Sequence, residues 1–118
     1  MRNFRKLEVW KESMELVEVV YGITRQLPSD EKYGLCSQMK RATVAIPANI
    51  AEGSSRRTSA DFARFLDISL GSSFELETYL ELVKKIHQNN SIEELQPFLN
   101  KLHIVQKRIN ALRESIVK

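Results

Sequence analysis

The residues that could carry metal or nucleophilic chemistry are few: two histidines, His87 and His103, and one cysteine, Cys36, in 118 residues. A carboxylate-bridged metal pair in a helical bundle needs Glu-x-x-His on facing helices. Here Lys84 stands three residues before His87, and Asn100 three before His103. The spacing fails at both, so no metal site is expected. Cys36 would need a neighbouring base and a depressed pKa to attack a substrate. It falls beside an apolar helical stripe, where packing is its ordinary role. Gly53-Ser54-Ser55 is too short to be a phosphate-cradling loop. Glu75 and Glu77 would point about 200° apart on a helix, which is no acid/base pair. No catalytic residue and no cofactor is assigned, and the chain is expected not to be an enzyme.

Basic clusters are the better candidates. Arg56-Arg57 lies between two helical segments, Arg64 follows two turns later, and Lys40-Arg41 lies upstream. A loop that feeds a helix N-terminus is a good anion site. Arg56, Arg57, Arg64 and Lys40 are therefore the candidate phosphate contacts. Lys101, Lys107, Arg108 and Arg113 read instead as a solvated polar face. The net charge of +3 and the pI near 9.1 permit a nucleic-acid partner without demanding one.

The elements that must position these residues are helical. Hydrophobic residues are 42% and charged residues 28%, against disorder, and 4 Gly with 3 Pro leave long unbroken stretches. Apolar residues recur at 3-4 spacing throughout, predicting helices over 8–27, 30–53, 59–87 and 92–117. The first shows two adjacent stripes, Trp10-Met14-Val17-Tyr21-Thr24 and Leu16-Val20-Ile23-Leu27. Ser29 is the expected cap of the second, and Thr58 with Asp61, then Ser91 with Glu94, resemble capping boxes. Pro47 should kink the second helix, or split it into two near Ile46. Four helices with short connections predict an all-α, up-down-up-down four-helix bundle, one domain over 1–118. No apolar run approaches the roughly 20 residues of a membrane span. The basic N-terminus is not followed by an apolar signal core, so the cytoplasm is the expected compartment.

Between the second and third helices lies a small-residue seam. The second carries Ala42, Ala45, Ala48 and Ala51, and the third Ser69, Gly71, Ser72 and Ser73. Small side chains let helices approach closely, and polar groups there must find partners. Arg41, Asn49, Glu52, Glu75 and Glu77 are expected to form that network, with Arg41 pairing Glu75 or Glu77. Asn49 sits on the apolar stripe itself, where a polar residue can set register. One stripe of the first helix suffices for a core. A second would leave an exposed apolar patch, so Val9, Leu16, Val20 and Ile23 are expected at an oligomer interface.

The blocks Tyr33-Gly34-Leu35, Gln38, Arg41 to Gly53, Phe65-Leu66 and Gly71 to Thr78, with Leu7-Glu8-Val9-Trp10 at the start, resemble a known family. It is the family of four-helix-bundle proteins encoded in intervening sequences of bacterial 23S ribosomal RNA genes, also called S23-like. The resemblance covers Phe4 to about Ile116, although the fourth helix shares only apolar spacing. It implies a homopentamer and a distant similarity to the accessory protein of diversity-generating retroelements, which binds nucleic acid and a reverse transcriptase. It implies no settled activity. Residues and resemblance together lead to a non-enzymatic oligomeric bundle. Its expected partners are itself, RNA or DNA through the phosphate backbone, and a nucleic-acid enzyme for which it serves as adaptor. The alternative is a protein-binding scaffold with no nucleic-acid partner.

Overall fold

In the computed structural model, which describes residues 2–88 and 92–117, four helices account for most of the chain. They are α1 (Glu8–Arg25), α2 (Leu35–Ser54), α3 (Ser59–Ile86) and α4 (Leu95–Ile116). Among the described residues there is no strand. A 3-10 turn, Phe4–Lys6, precedes α1, and a second, Ser29–Glu31, stands between α1 and α2. Consecutive helices pack against each other and α4 closes back on α1, the up-down-up-down arrangement. The 28 residues of α3 rise about 42 Å, which accounts for most of the 47 Å long axis.

The second helix begins later than its apolar pattern suggests. Ser29 does not cap it. Ser29, Asp30 and Glu31 form their own 3-10 turn, and Pro28 and Gly34 flank it without side-chain caps. Pro47 lies inside α2 and the helix runs through it unbroken, so the two-helix alternative is set aside. Thr58 caps α3 as expected, its hydroxyl accepting from the Asp61 N–H at 3.1 Å. Asp61 turns to Arg64 rather than back to the cap. The capping box expected at Ser91 lies outside the described residues. Pro97 sits in the first turn of α4, where a missing N–H leaves no intrahelical bond unmade.

The core is built from one stripe per helix. Met39, Ile46 and Ile50 of α2 meet Phe62, Leu66, Leu76 and Leu80 of α3, with Phe98, Leu102, Val105 and Ile109 of α4. On α1 the core stripe is Val9-Ser13-Leu16-Val20-Ile23, every member at 5% exposure or less. This corrects the expected oligomer interface. Val9, Leu16, Val20 and Ile23 pack inside the subunit and are unavailable to a partner. Ser13 explains the misreading, because a polar residue interrupts the stripe in the sequence. It is nonetheless fully buried, its hydroxyl satisfied by the Trp10 carbonyl at 2.8 Å. The other stripe, Trp10-Met14-Val17-Tyr21-Thr24, is half-buried to exposed except at its end, where Thr24 is buried.

The helices are also tied at their polar edges. Arg108 of α4 pairs with Glu12 of α1 at 2.7 Å, and Arg113 of α4 with Asp67 of α3 at 2.6 Å. Glu31, in the 3-10 turn before α2, accepts a short bond of 2.5 Å from His87 at the C-terminal end of α3. That bond, with help from the Leu35 N–H, holds the Glu31 carboxyl below its ordinary pKa against the opposing effect of burial. A carboxylate lowered in the fold contributes stability above its unfolded pKa and loses it as the pH falls through the folded value. Glu31→Gln is therefore expected to cost about 1 kcal/mol near neutral pH. The difference from wild type should shrink as the pH falls below about 4.5. Urea titrations of both proteins across that range check the sign. A gap that widens in acid would refute the assignment.

Candidate nucleic-acid interface

α2 ends at Ser54, and Ser55, Arg56 and Arg57 turn the chain into the Thr58 cap of α3. The turn is tight because the two helices nearly touch there. An added Cβ on Gly53 would stand 2.6 Å from the Phe65 Cβ and 3.0 Å from a Phe62 ring carbon. Close packing brings both rings under the loop. The Arg56 guanidinium lies over the Phe65 ring at 4.7 Å from its centre, and that of Arg64 over the same ring at 4.6 Å. Such stacking contributes about 0.5–1 kcal/mol per contact at exposed sites.

Arg2 joins them from the other end of the sequence. Its Nη1 donates to the Arg56 carbonyl at 3.2 Å, and its guanidinium stands 4.7 Å over the Phe62 ring. Arg2, Ser55, Arg56 and Arg57 line an open recess of about 640 Å³. Two carboxylates offset part of the charge: Glu52 pairs with Arg56 at 2.8 Å, and Asp61 with Arg64 at 3.6 Å. All four side chains of these pairs are well exposed, so the pairs are weak and exchange readily with other anions. Arg2 and Arg57 make no ion pair among the described residues. The N-terminus of α3 is already complemented by Asp61 in its first turn. Anion affinity at this end therefore rests on the arginines more than on the helix.

The structure thus brings Arg56, Arg57 and Arg64 together. It does not bring Lys40 to them. Lys40 lies over the Tyr21 ring, 4.9 Å from its centre, and 14 residues of α2, about 21 Å, separate it from Ser54. Arg2 is the residue that sequence reading missed. Nothing in the local pattern signals a contact 54 residues away.

The expected polar network is corrected as well. Arg41 is exposed and makes no salt bridge among the described residues. Glu77 faces α4 instead, accepting from Gln106 at 2.9 Å and His103 at 3.0 Å. The Gln106 bond, then the His103 bond, holds its carboxyl below the ordinary range. Glu75 lies on the opposite side, 3.5 Å from the Tyr79 hydroxyl. The 200° separation of the two carboxylates delivers them to different neighbours. Asn49 is half-buried and donates to Ala45 within its own helix at 2.8 Å. A buried bond that does cross between the two helices is that of Ser69, whose hydroxyl donates to the Ile46 carbonyl at 2.8 Å.

The titratable groups elsewhere are occupied structurally. Cys36 is buried, its thiol donating to the Thr24 carbonyl. Burial pushes its pKa up, which makes it a poor nucleophile. His87 and His103 each engage a carboxylate. Among the described residues, no three His, Cys, Asp or Glu side chains are grouped to hold a metal.

Fold and site define a class: an all-α four-helix bundle whose α2–α3 corner carries a cluster of stacked arginines. Residues 5–111 match the family model described as 23S rRNA-intervening sequence protein, and the chain belongs to that family. Its fold is similar to a crystal structure of a protein with unknown function from the S23 ribosomal protein family of Bacteroides thetaiotaomicron. The TM-score is 0.79 at 24% identity, over 89% of this chain and 97% of that one. Among curated proteins none matches significantly.

Proposed function

We propose that this protein is a non-enzymatic, oligomeric binding bundle that holds the phosphate backbone of RNA or DNA at its arginine corner, as an adaptor in the cytoplasm. The observation that carries the reading is the convergence of Arg2, Arg56, Arg57 and Arg64, with only Glu52 and Asp61 paired against them among the described residues. Guanidinium groups bind phosphate bidentately and stay charged. A nucleic-acid enzyme working on the same strand is the natural protein partner of such an adaptor.

Assembly strengthens the reading, because a weak patch repeated in each subunit acts as one polyvalent surface. The apolar face left over after the core is filled supports it. Met14 and Val44 are 44% and 43% exposed, and Val17 and Tyr21 are half-buried, whereas Trp10 of the same stripe packs against the core. This face replaces the core residues as the candidate interface, and a ring of five is the expected product.

Light scattering should give a multiple of the 13.6 kDa subunit mass. A labelled strand should bind with an affinity that falls about tenfold or more between about 50 and 200 mM salt, as two or three phosphate contacts per strand require. A monomer would remove the polyvalent part. Salt-insensitive binding would remove the phosphate reading in favour of a protein-binding scaffold.

A further inference from the structure

Three guanidinium groups at this corner are laid on two aromatic rings: Arg2 on Phe62, and Arg56 and Arg64 on Phe65. The rings are 1% and 7% exposed, so the arginines serve as their covers. A guanidinium held over a ring keeps its plane and its N–H fork, and less side-chain freedom is lost when it grips an oxyanion. Arg2 is also fixed by its bond to the Arg56 carbonyl, and it shares one recess with Arg56 and Arg57.

We infer that Arg2 and Arg56, preorganised on their rings, form with Arg57 a phosphate clamp whose ligand is the backbone of an unpaired nucleic-acid strand. The inference rests on the phosphate-binding reading above. Proteins that hold a duplex through its backbone spread many phosphate contacts along a groove. Here each subunit gathers its contacts into one recess of about 640 Å³ instead of lining them along a groove. A flexible strand can fold neighbouring phosphates into such a recess. Its free bases can stack on the outer faces of the guanidinium planes.

The test is fluorescence anisotropy on the full chain, free of any N-terminal tag. The probes are a short labelled RNA, the DNA of the same sequence, and each annealed to its complement. Arg2→Ala is expected to weaken single-strand binding about tenfold. Arg2→Lys, which keeps the charge but not the plane or the fork, should recover little of it. Arg57→Lys, at a side chain with no ion pair to lose among the described residues, should weaken binding without moving the melting curve. Full recovery by lysine at both positions would overturn the clamp, leaving charge alone. Equal binding of strand and duplex would overturn the unpaired-strand assignment. Binding that is salt-sensitive yet indifferent to Arg2 sinks this inference and spares the broader reading. No binding of any probe at low salt ends both.

Discussion

Gly53→Ala is expected to destabilise the fold by about 1–2 kcal/mol, and Gly53→Val by about 3 kcal/mol or more. The sign is the informative part. Alanine inside a helix ordinarily gains up to about 1 kcal/mol over glycine. At Gly53 that gain is overridden, because the new Cβ would meet the Phe65 Cβ at 2.6 Å. A Cβ cannot rotate away from its own backbone, so the end of α2 would have to move away from the part of α3 that carries Phe62 and Phe65. Gly22 and Gly71 are internal controls. An added Cβ meets nothing within 4 Å at either, so alanine there should be neutral or stabilising. Urea unfolding followed by circular dichroism measures all four variants. If Gly53→Ala proved as stable as Gly71→Ala, the close approach that builds the arginine corner would be wrong. Because Arg56 and Arg64 stack on Phe65, loosening this packing should also weaken the corner's anion affinity.

The paired reversal Arg56→Glu with Arg57→Glu should lower nucleic-acid affinity by about a hundredfold or more at low salt, since it removes two cations and adds two anions at one recess. The stability cost should stay small, near 1 kcal/mol, because the Glu52 pair is well exposed and Arg64 still covers the Phe65 ring. Lys40→Glu is the matched control. It reverses a charge on α2 itself, about 21 Å along the helix from its end at Ser54. That is twice the screening length of about 10 Å at 0.1 M salt. Its effect should stay within about twofold at that ionic strength. Anisotropy titrations with one labelled strand compare the three proteins. Unchanged binding in the double variant would mean that the corner is merely solvated, and a protein-binding scaffold would become the better reading.

Much of this molecule was legible in the chain. The 3-4 recurrence of apolar residues predicted four helices and the bundle, because burial of one stripe per helix is a local periodic property that sequence displays directly. Thr58 was legible as the cap of α3, since capping involves residues three positions apart. Arg56, Arg57 and Arg64 could be seen to cluster, being neighbours around one turn. What failed has a common physical cause. Which of the two apolar stripes on α1 faces inward depends on where α2 and α4 stand, and a satisfied Ser13 can lie in the core without weakening it. Where Glu75 and Glu77 find partners depends on α3 lying between two helices at once, which left Arg41 without a salt bridge among the described residues and gave Glu77 to Gln106 and His103. The separation of Lys40 from the arginines is set by a helix that continues through Pro47. The arrival of Arg2 at Arg56 is a contact between distant parts of the chain. Composition and spacing determined which elements form and which faces are apolar, because those are set within a few turns. Only the packing of the four helices decided which stripe became the core and which charges meet at the corner, because those depend on distances between segments that no local pattern contains.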